Sequence, residues 1–559
     1  MRTLDWLVLI VSLVGIIGYG LYKSRGSNTM QSYLLAGKTM RWWVIGLSIM
    51  ATQASAITFI GTTGQGYTDG IRFVQFYFGL PIAMVIIAAV AVPFFHRSGI
   101  YTAYEYLEQR FDPKTRTLAS IVFLVQRGLG VGLALYAPAV VLSVILGWPE
   151  SVTVWAMGVL VILYTVIGGI RAVMWTDAQQ MVIMLAGIIA AFFAAVYGLP
   201  SDVSFADGLY LSGVSGKLRA VDLSFDWQNR YNLWSGVIGG GFLALAYFGT
   251  DQSQVQRYLT GRSIVHMRFS LLFNSVVKVP LQFMILLTGA MVFAFFLFEQ
   301  PPLLFNDVDR DRIEASANPA FTAVEQRYSE AFIKRREAAR GLIETRTAAA
   351  QLRFREADQT LQQTRGDAIT LVEAQKGETY NDTNYIFLTF VTRHLPVGIV
   401  GLIIAAVFAA AMSTISAELN SLATATVVDH YQRYLVKGRE DAHYARTARF
   451  ATAFWGIYAT TFASFGGQLG SLIEAVNIVG SLFYGSMLGV FVLAFAPWRS
   501  NGHGAFAGML AGLAAVAWTS QNTTISYLWY NLVGCIVAVI VGLLVSRTFP
   551  VARESEPRA

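Results

Sequence analysis

AAVFAAAMSTISAELNSLATAT, residues 405–426, is long and apolar enough to cross a bilayer as one helix. Yet it carries Ser413, Thr414, Ser416, Glu418, Asn420 and Ser421. Polar groups inside hydrocarbon are costly, so such a cluster marks a functional site. Ala410, Ser413 and Thr414 stand at i, i+3 and i+4, on one helix face. Two hydroxyls beside small residues offer oxygen ligands to a small hard cation, and the alanines admit a second backbone. The competing reading is that these hydroxyls bond their own i−4 carbonyls or join helices. The stretch alone leaves both open.

The rest of the chain sets the context. Its 559 residues are 55% hydrophobic and 13% charged, against about 25% charged in a soluble domain. This is a polytopic membrane protein, resident in the cytoplasmic or inner cell membrane. The lone Cys535 excludes a disulfide framework and a cysteine-built metal site. The net charge of +7 needs no nucleic-acid partner, because basic residues gather in short loops. There is no HExxH, no GxSxG with a matching His and no metal-ligand spacing among the six histidines, so no catalytic residue is assigned and an enzyme is not expected.

Apolar stretches near bilayer length fall at 5–23, 42–61, 73–95, 117–146, 150–170, 176–199, 233–256, 267–298, 397–426, 446–465, 469–496, 503–520 and 526–547, thirteen expected spans. The first lacks a preceding basic region, and Lys23 and Arg25 follow it, so it reads as a retained helix. Loops 24–41, 96–116, 257–268 and 427–449 carry the Lys and Arg excess and fall on one side. That side is assigned to the cytoplasm, with the N-terminus outside and the C-terminus inside.

Residues 306–379 hold 25 of the chain's 75 charged residues, nearly balanced in sign. They are rich in helix formers with a loose apolar stripe. The segment reads as a helical excursion, a hairpin on the outer face. It is either simply solvated or a docking surface for an extracytoplasmic partner.

Two spans are polar or broken. In 42–61, Ala51 to Ala56 replace bulky residues at mid-depth. In 233–256, Gly239, Gly240 and Gly241 precede a polar run ending at Arg257. Setting the first helix aside, these are the first and sixth spans. Interrupted helices at matching positions of two halves point to a transporter site, where freed carbonyls hold a cation. For the glycines, close helix packing is the alternative.

At these residues the chain resembles the sodium:solute symporter family. Tyr164-Thr-Val-Ile-Gly-Gly-Ile-Arg-Ala-Val-Met-Trp-Thr-Asp177 is similar to the family's Gly-Gly loop and Trp-Thr-Asp motif, with Ile170 where Leu, Met or Phe is more usual. Gly249-Thr-Asp-Gln-Ser-Gln-Val-Gln-Arg257 and the run from Ala409 to Ser421 are similar to further family segments. The resemblance implies an all-α, LeuT-like fold of five helices and an inverted five, with extra helices before and after. It divides the chain into an extra helix and loop (1–41), a first repeat (42–199), an outer loop (200–232), a second repeat (233–496) interrupted by the insertion (300–385), and two C-terminal helices with a tail (497–559). It implies sodium as coupling ion, held by the carbonyls of Ala51, Ala54 and Ala410 and the hydroxyls of Ser413 and Thr414. Five uncharged oxygens suit a monovalent ion that must also leave. Some members bind a second sodium near the acid of the Trp-Thr-Asp motif, which makes Asp177 the second-ion candidate. The alternative is a carboxylate capping the following helix.

For the solute, the positions similar to family contacts are Gln53, Thr58, Tyr77 and Asp251. Tyr77 stands where sugar-transporting members carry Glu, which disfavours a sugar. Arg127 needs a counter-charge in the membrane. A solute carboxylate, an internal acid and snorkelling to the interface are the three options. Asn477, Ser481 and Tyr484 share a helix face and either line the same cavity or bond between helices. Tyr136-Ala-Pro-Ala139 adds a likeness to the branch that carries organic anions. The expected function is sodium-coupled import of a small organic solute by alternating access, the solute an organic anion. A non-transporting sensor, a proton-coupled carrier and a sugar carrier are the alternatives. Glu418 and Asn420 lie nearer the cytoplasmic end and read as inner-gate or packing residues.

Overall fold

The computed structural model describes residues 2–23, 29–315, 318–377, 379–465 and 472–549. Arg25, the start of the 469–496 stretch and the end of the C-terminal tail lie outside the described residues. Helices follow one another throughout. They are α1 (Thr3–Lys23), α2 (Met30–Leu35), α3 (Trp42–Gln53), α4 (Thr63–Thr68), α5 (Leu80–Ala89), α6 (Ala91–Ser98), α7 (Ala103–Arg110), α8 (Pro113–Leu146), α9 (Glu150–Tyr197), α10 (Phe205–Val214) and α11 (Gly240–Thr250). Then come α12 (Gln252–Leu259), α13 (Ile264–Phe295), α14 (Asp307–Ala315), α15 (Pro319–Thr345), α16 (Ala348–Lys376), α17 (Thr383–His394), α18 (Ile399–Ala425), α19 (Asp441–Ala463), α20 (Leu472–Phe495), α21 (Gly502–Asn522) and α22 (Leu528–Thr548).

Among the described residues, eight helices are long and apolar enough to cross a bilayer, or nine if a bent pair is one span. The sequence reading counted thirteen stretches. The difference lies in shorter or more polar helices. Glu150–Leu163 and Ser235–Thr250 are short, α19 opens on Asp441, His443, Arg446 and Arg449, and α21 is rich in Gly and Ala. The opening stretch lies in α18, whose residues from Ile403 to Ala425 are all buried. It is the bundle's central helix, packed chiefly against α8, α9 and α1.

Three breaks shape the bundle. α3 ends at Gln53, and the chain restarts through a wide π turn (Thr58–Thr62) into α4 at an angle of 65°. Ala54, at φ −89° and ψ 60°, leaves the helical region. The Thr58 hydroxyl donates to the Gln53 carbonyl across the break (3.1 Å), the local competition by which Ser and Thr open helices. α9 is two helices joined at Gly169, whose φ of 57° and ψ of −174° favour glycine. A Cβ there would also lie 2.7 Å from the Tyr33 ring.

The third break lies within the polar run. The chain is helical through Gly239, Gly240 and Gly241 and breaks at Asp251, between α11 and α12. Asp251 is extended (φ −78°, ψ 121°), and its carboxylate caps the Ser253 N–H at 2.8 Å. The glycines instead serve close packing. A Cβ on Gly236 would lie 2.0 Å from the Gln75 carbonyl, and one on Gly240 2.3 Å from that of Phe76.

The charged segment forms a hairpin of α15 and α16 with its own core of Phe321, Val324, Tyr328, Phe332, Leu361, Ala368 and Val372. Asn318 and Thr347 cap the two helices, and Arg346 turns the corner at φ 50°. The hairpin is docked on the bundle. Buried Arg335 donates to the Phe296 carbonyl (2.6 Å), Arg346 pairs with Asp207 (2.8 Å), and Arg365 pairs with Asp382 (2.6 Å). Asp382 caps Phe305 and leads into α17, which packs on α4.

Candidate ion and solute site

The α3 break and α18 meet. The Thr414 hydroxyl donates to the Thr52 carbonyl at 2.9 Å. The carbonyls of Ala51 and Ala54 accept no hydrogen bond among the described residues, since the helix that would use them has stopped. Ala51, Ala54, Ala410, Ser413 and Thr414 are all buried. One face of α18 and the frayed end of α3 thus bring backbone and hydroxyl oxygens together, and the carbonyls left over need a partner.

The Ser413 hydroxyl has a further partner. Its hydroxyl donates to Asp177 Oδ1 at 2.6 Å. Asp177 Oδ2 accepts from Ser48 Oγ (2.5 Å) and pairs with Arg257 Nη2 (3.4 Å). Both charged residues are fully buried. Asp177 lies well inside α9, eight residues past the Gly169 kink, so it caps no helix. It couples α9 to α3, α12 and α18.

Beside this junction lies a cavity of about 130 Å³. Gln53, Thr58, Tyr77, Arg127 and Asn477 line it, with Thr414, Tyr247 and Tyr484. Asp251 stands behind the lining. Its Oδ2 accepts from Arg127 and from the Tyr484 hydroxyl (2.9 Å). Arg127 therefore takes the internal-acid option. Its guanidinium pairs with Asp251 and with Glu418 Oε1 (2.7 Å), bonds Tyr484 Oη (2.5 Å) and sits 5.4 Å from the Tyr247 ring centre. It is already neutralised and has no spare charge for a solute carboxylate.

Two residues gain a place that the sequence does not give them. Glu418, read from sequence as an inner-gate or packing residue, lines the cavity and holds Arg127. Its place on the helix, one turn from Thr414, carried that signal. Lys278 of α13 was passed over. It is 1% exposed, lines the cavity, and its Nζ makes no hydrogen bond among the described residues. It lies 5.4 Å from the centre of the Tyr77 ring. A lysine inside a span is a signal in itself. Two other polar residues serve packing. Asn420 accepts from Gln256 (3.0 Å), and Ser481 accepts from Asn531 on α22 (3.1 Å) and faces away from the cavity.

A helical bundle with a polar cavity at the broken parts of two helices is the architecture of a secondary transporter. The sequence model of the sodium:solute symporter family matches residues 33–305 and 367–512, and the chain belongs to that family. It is 26% identical to the sodium/sialic acid symporter NanT of Aliivibrio fischeri, over 98% of this chain and 94% of that one. It is 25% identical to sodium-coupled monocarboxylate transporter 2 of Homo sapiens, over 97% and 83%. Its fold is similar to that of a Na+-coupled sialic acid symporter solved substrate-bound and outward-open, with a TM-score of 0.77 at 23% identity over 99% of this chain and all of that one. The chain is thus an all-α, LeuT-like, multi-pass membrane protein, a sodium-coupled symporter and not an enzyme.

Proposed function

We propose that the protein imports a small carboxylate-bearing solute with sodium, the ion held by the carbonyls of Ala51, Ala54 and Ala410 and the hydroxyls of Ser413 and Thr414. The observation that carries this reading is the 2.9 Å bond between Thr414 and Thr52 beside two unbonded carbonyls. Sodium there ties α3 to α18, and its loss lets them separate. Solute binds the adjoining cavity among Gln53, Thr58, Tyr77 and Asn477. Because the two sites share α3 and α18, each ligand tightens the other by the same factor. Arg127 and Asp251 form the wall, and Lys278 is the cation that meets the carboxylate.

A membrane potential of 100 mV supplies about 2.3 kcal/mol per charge moved inward. Asp177 already has Arg257 as counter-ion, which supports one sodium and not two. The repeats are 42–199 and 233–496, with the basic loops in the cytoplasm and the hairpin outside. A partner docking on the hairpin is supported by its rigid attachment and its charged outer faces. The test is uptake into proteoliposomes. Accumulation must require an inward sodium gradient, and uptake that persists without sodium but collapses with a pH gradient rejects the ion assignment.

A further inference from the structure

Two buried charged groups face the cavity with bonding capacity unused. Lys278 Nζ on α13 makes no hydrogen bond among the described residues. Glu418 on α18 gives Oε1 to Arg127, and its Oε2 accepts nothing among the described residues. Both residues are more than nine-tenths buried and both line the cavity. Among the described residues no ion pair joins them, and Glu418 pairs with Arg127. A buried ammonium with no counter-ion and a carboxylate that shares one arginine with Asp251 are both costly, so each is tolerated where a ligand completes it.

The charge balance narrows that ligand. Arg127 carries +1 against −1 each for Asp251 and Glu418, which leaves that cluster at −1. Lys278 brings the wall to zero. A neutral wall with an unpaired ammonium and a carboxylate oxygen left free complements a solute that is neutral overall and carries both signs. A plain monocarboxylate satisfies Lys278 and strands Glu418 Oε2. A plain amine does the reverse. A sugar offers hydroxyls but no charge to either.

We propose that the solute is a small zwitterion, its carboxylate on Lys278 Nζ and its ammonium on Glu418 Oε2. The rings of Tyr77 and Tyr247, which also line the cavity, flank its carbon frame. This inference rests on reading the cavity as the solute site.

The test uses the purified full chain in sodium against choline, with ligand-induced thermal shift and uptake as readouts. The probes are L-alanine, L-proline, β-alanine and γ-aminobutyrate, which differ in carboxylate-to-ammonium spacing. Each is run beside its amine-free acid and its carboxyl-free amine, with glucose as the uncharged control. At least one zwitterion is expected to bind about 30-fold tighter, or more, than either truncated form. Glu418→Gln, which keeps the size and an oxygen acceptor for Arg127, is expected to erase the preference for the zwitterion over the acid. Lys278→Met is expected to erase the preference over the amine. If an acid binds as tightly as its zwitterion, the inference falls while the solute site stands. If Glu418→Gln changes sodium affinity and not solute selectivity, Glu418 is an ion ligand and the inference falls. If no compound produces a sodium-dependent shift, the solute-site reading falls with it.

Discussion

The hydroxyl of Thr414 donates to the backbone carbonyl of Thr52 across 2.9 Å, joining the central helix to the last turn of a helix that ends one residue later. The bond sits where Ala51 and Ala54 have carbonyls to spare. Thr414→Val removes the oxygen and keeps the shape. Sodium affinity is expected to fall by at least about tenfold, with little change in melting temperature measured without sodium. A titration of sodium-induced thermal stabilisation reads both quantities.

Arg127 is held by Asp251 and Glu418 at once. Arg127→Met strands two buried carboxylates, and removing one side of a buried pair costs about 3–5 kcal/mol. Low yield and early unfolding are expected. Combining it with Asp251→Asn and Glu418→Gln removes the stranded charges, and the triple variant is expected to recover much of the loss. Denaturation profiles of the single and triple variants decide it.

The close contact at Gly236 leaves no room for a methyl group, because its Cβ would sit 2.0 Å from the Gln75 carbonyl. Gly236→Ala is expected to destabilise by about 1–3 kcal/mol through overpacking. Sodium affinity should be unchanged, which separates a packing defect from a site defect.

Glu105 on α7, outside the spans, is pushed up to about 7 by burial and by the Asp429 carboxylate nearby, with Arg116 pulling the other way. A carboxyl raised in the folded state favours folding fully below its ordinary value, here 4.5. That contribution is lost as pH rises through about 7. Glu105→Gln cannot ionise. Its melting temperature relative to wild type should therefore rise between pH 5 and pH 8, measured as paired melts across that range. A flat difference rejects it.

How much of this was legible beforehand depended on the kind of signal. The polar face of α18 and the small residues at 51–56 are departures from an apolar background, and the sequence carries them directly. The sequence marks the 233–256 span as interrupted without placing the break at Asp251, and it leaves the three glycines open between interruption and packing. They pack, as the neighbouring Leu528 and Phe76 carbonyls disclose. Arg127 announced a need for charge compensation without naming the partner. The acids that supply it lie 124 and 291 residues away. Lys278 was visible as a letter, but its isolation is a tertiary fact.

The most direct measurement of the central claim needs no solute. Binding of radiolabelled sodium to the purified protein is compared for wild type and the Ser413→Ala/Thr414→Ala double variant, with circular dichroism melts to confirm that both are folded. The account predicts saturable binding to wild type at one site and an affinity lower by at least about tenfold in the double variant. A folded double variant that binds sodium as tightly as wild type would contradict it.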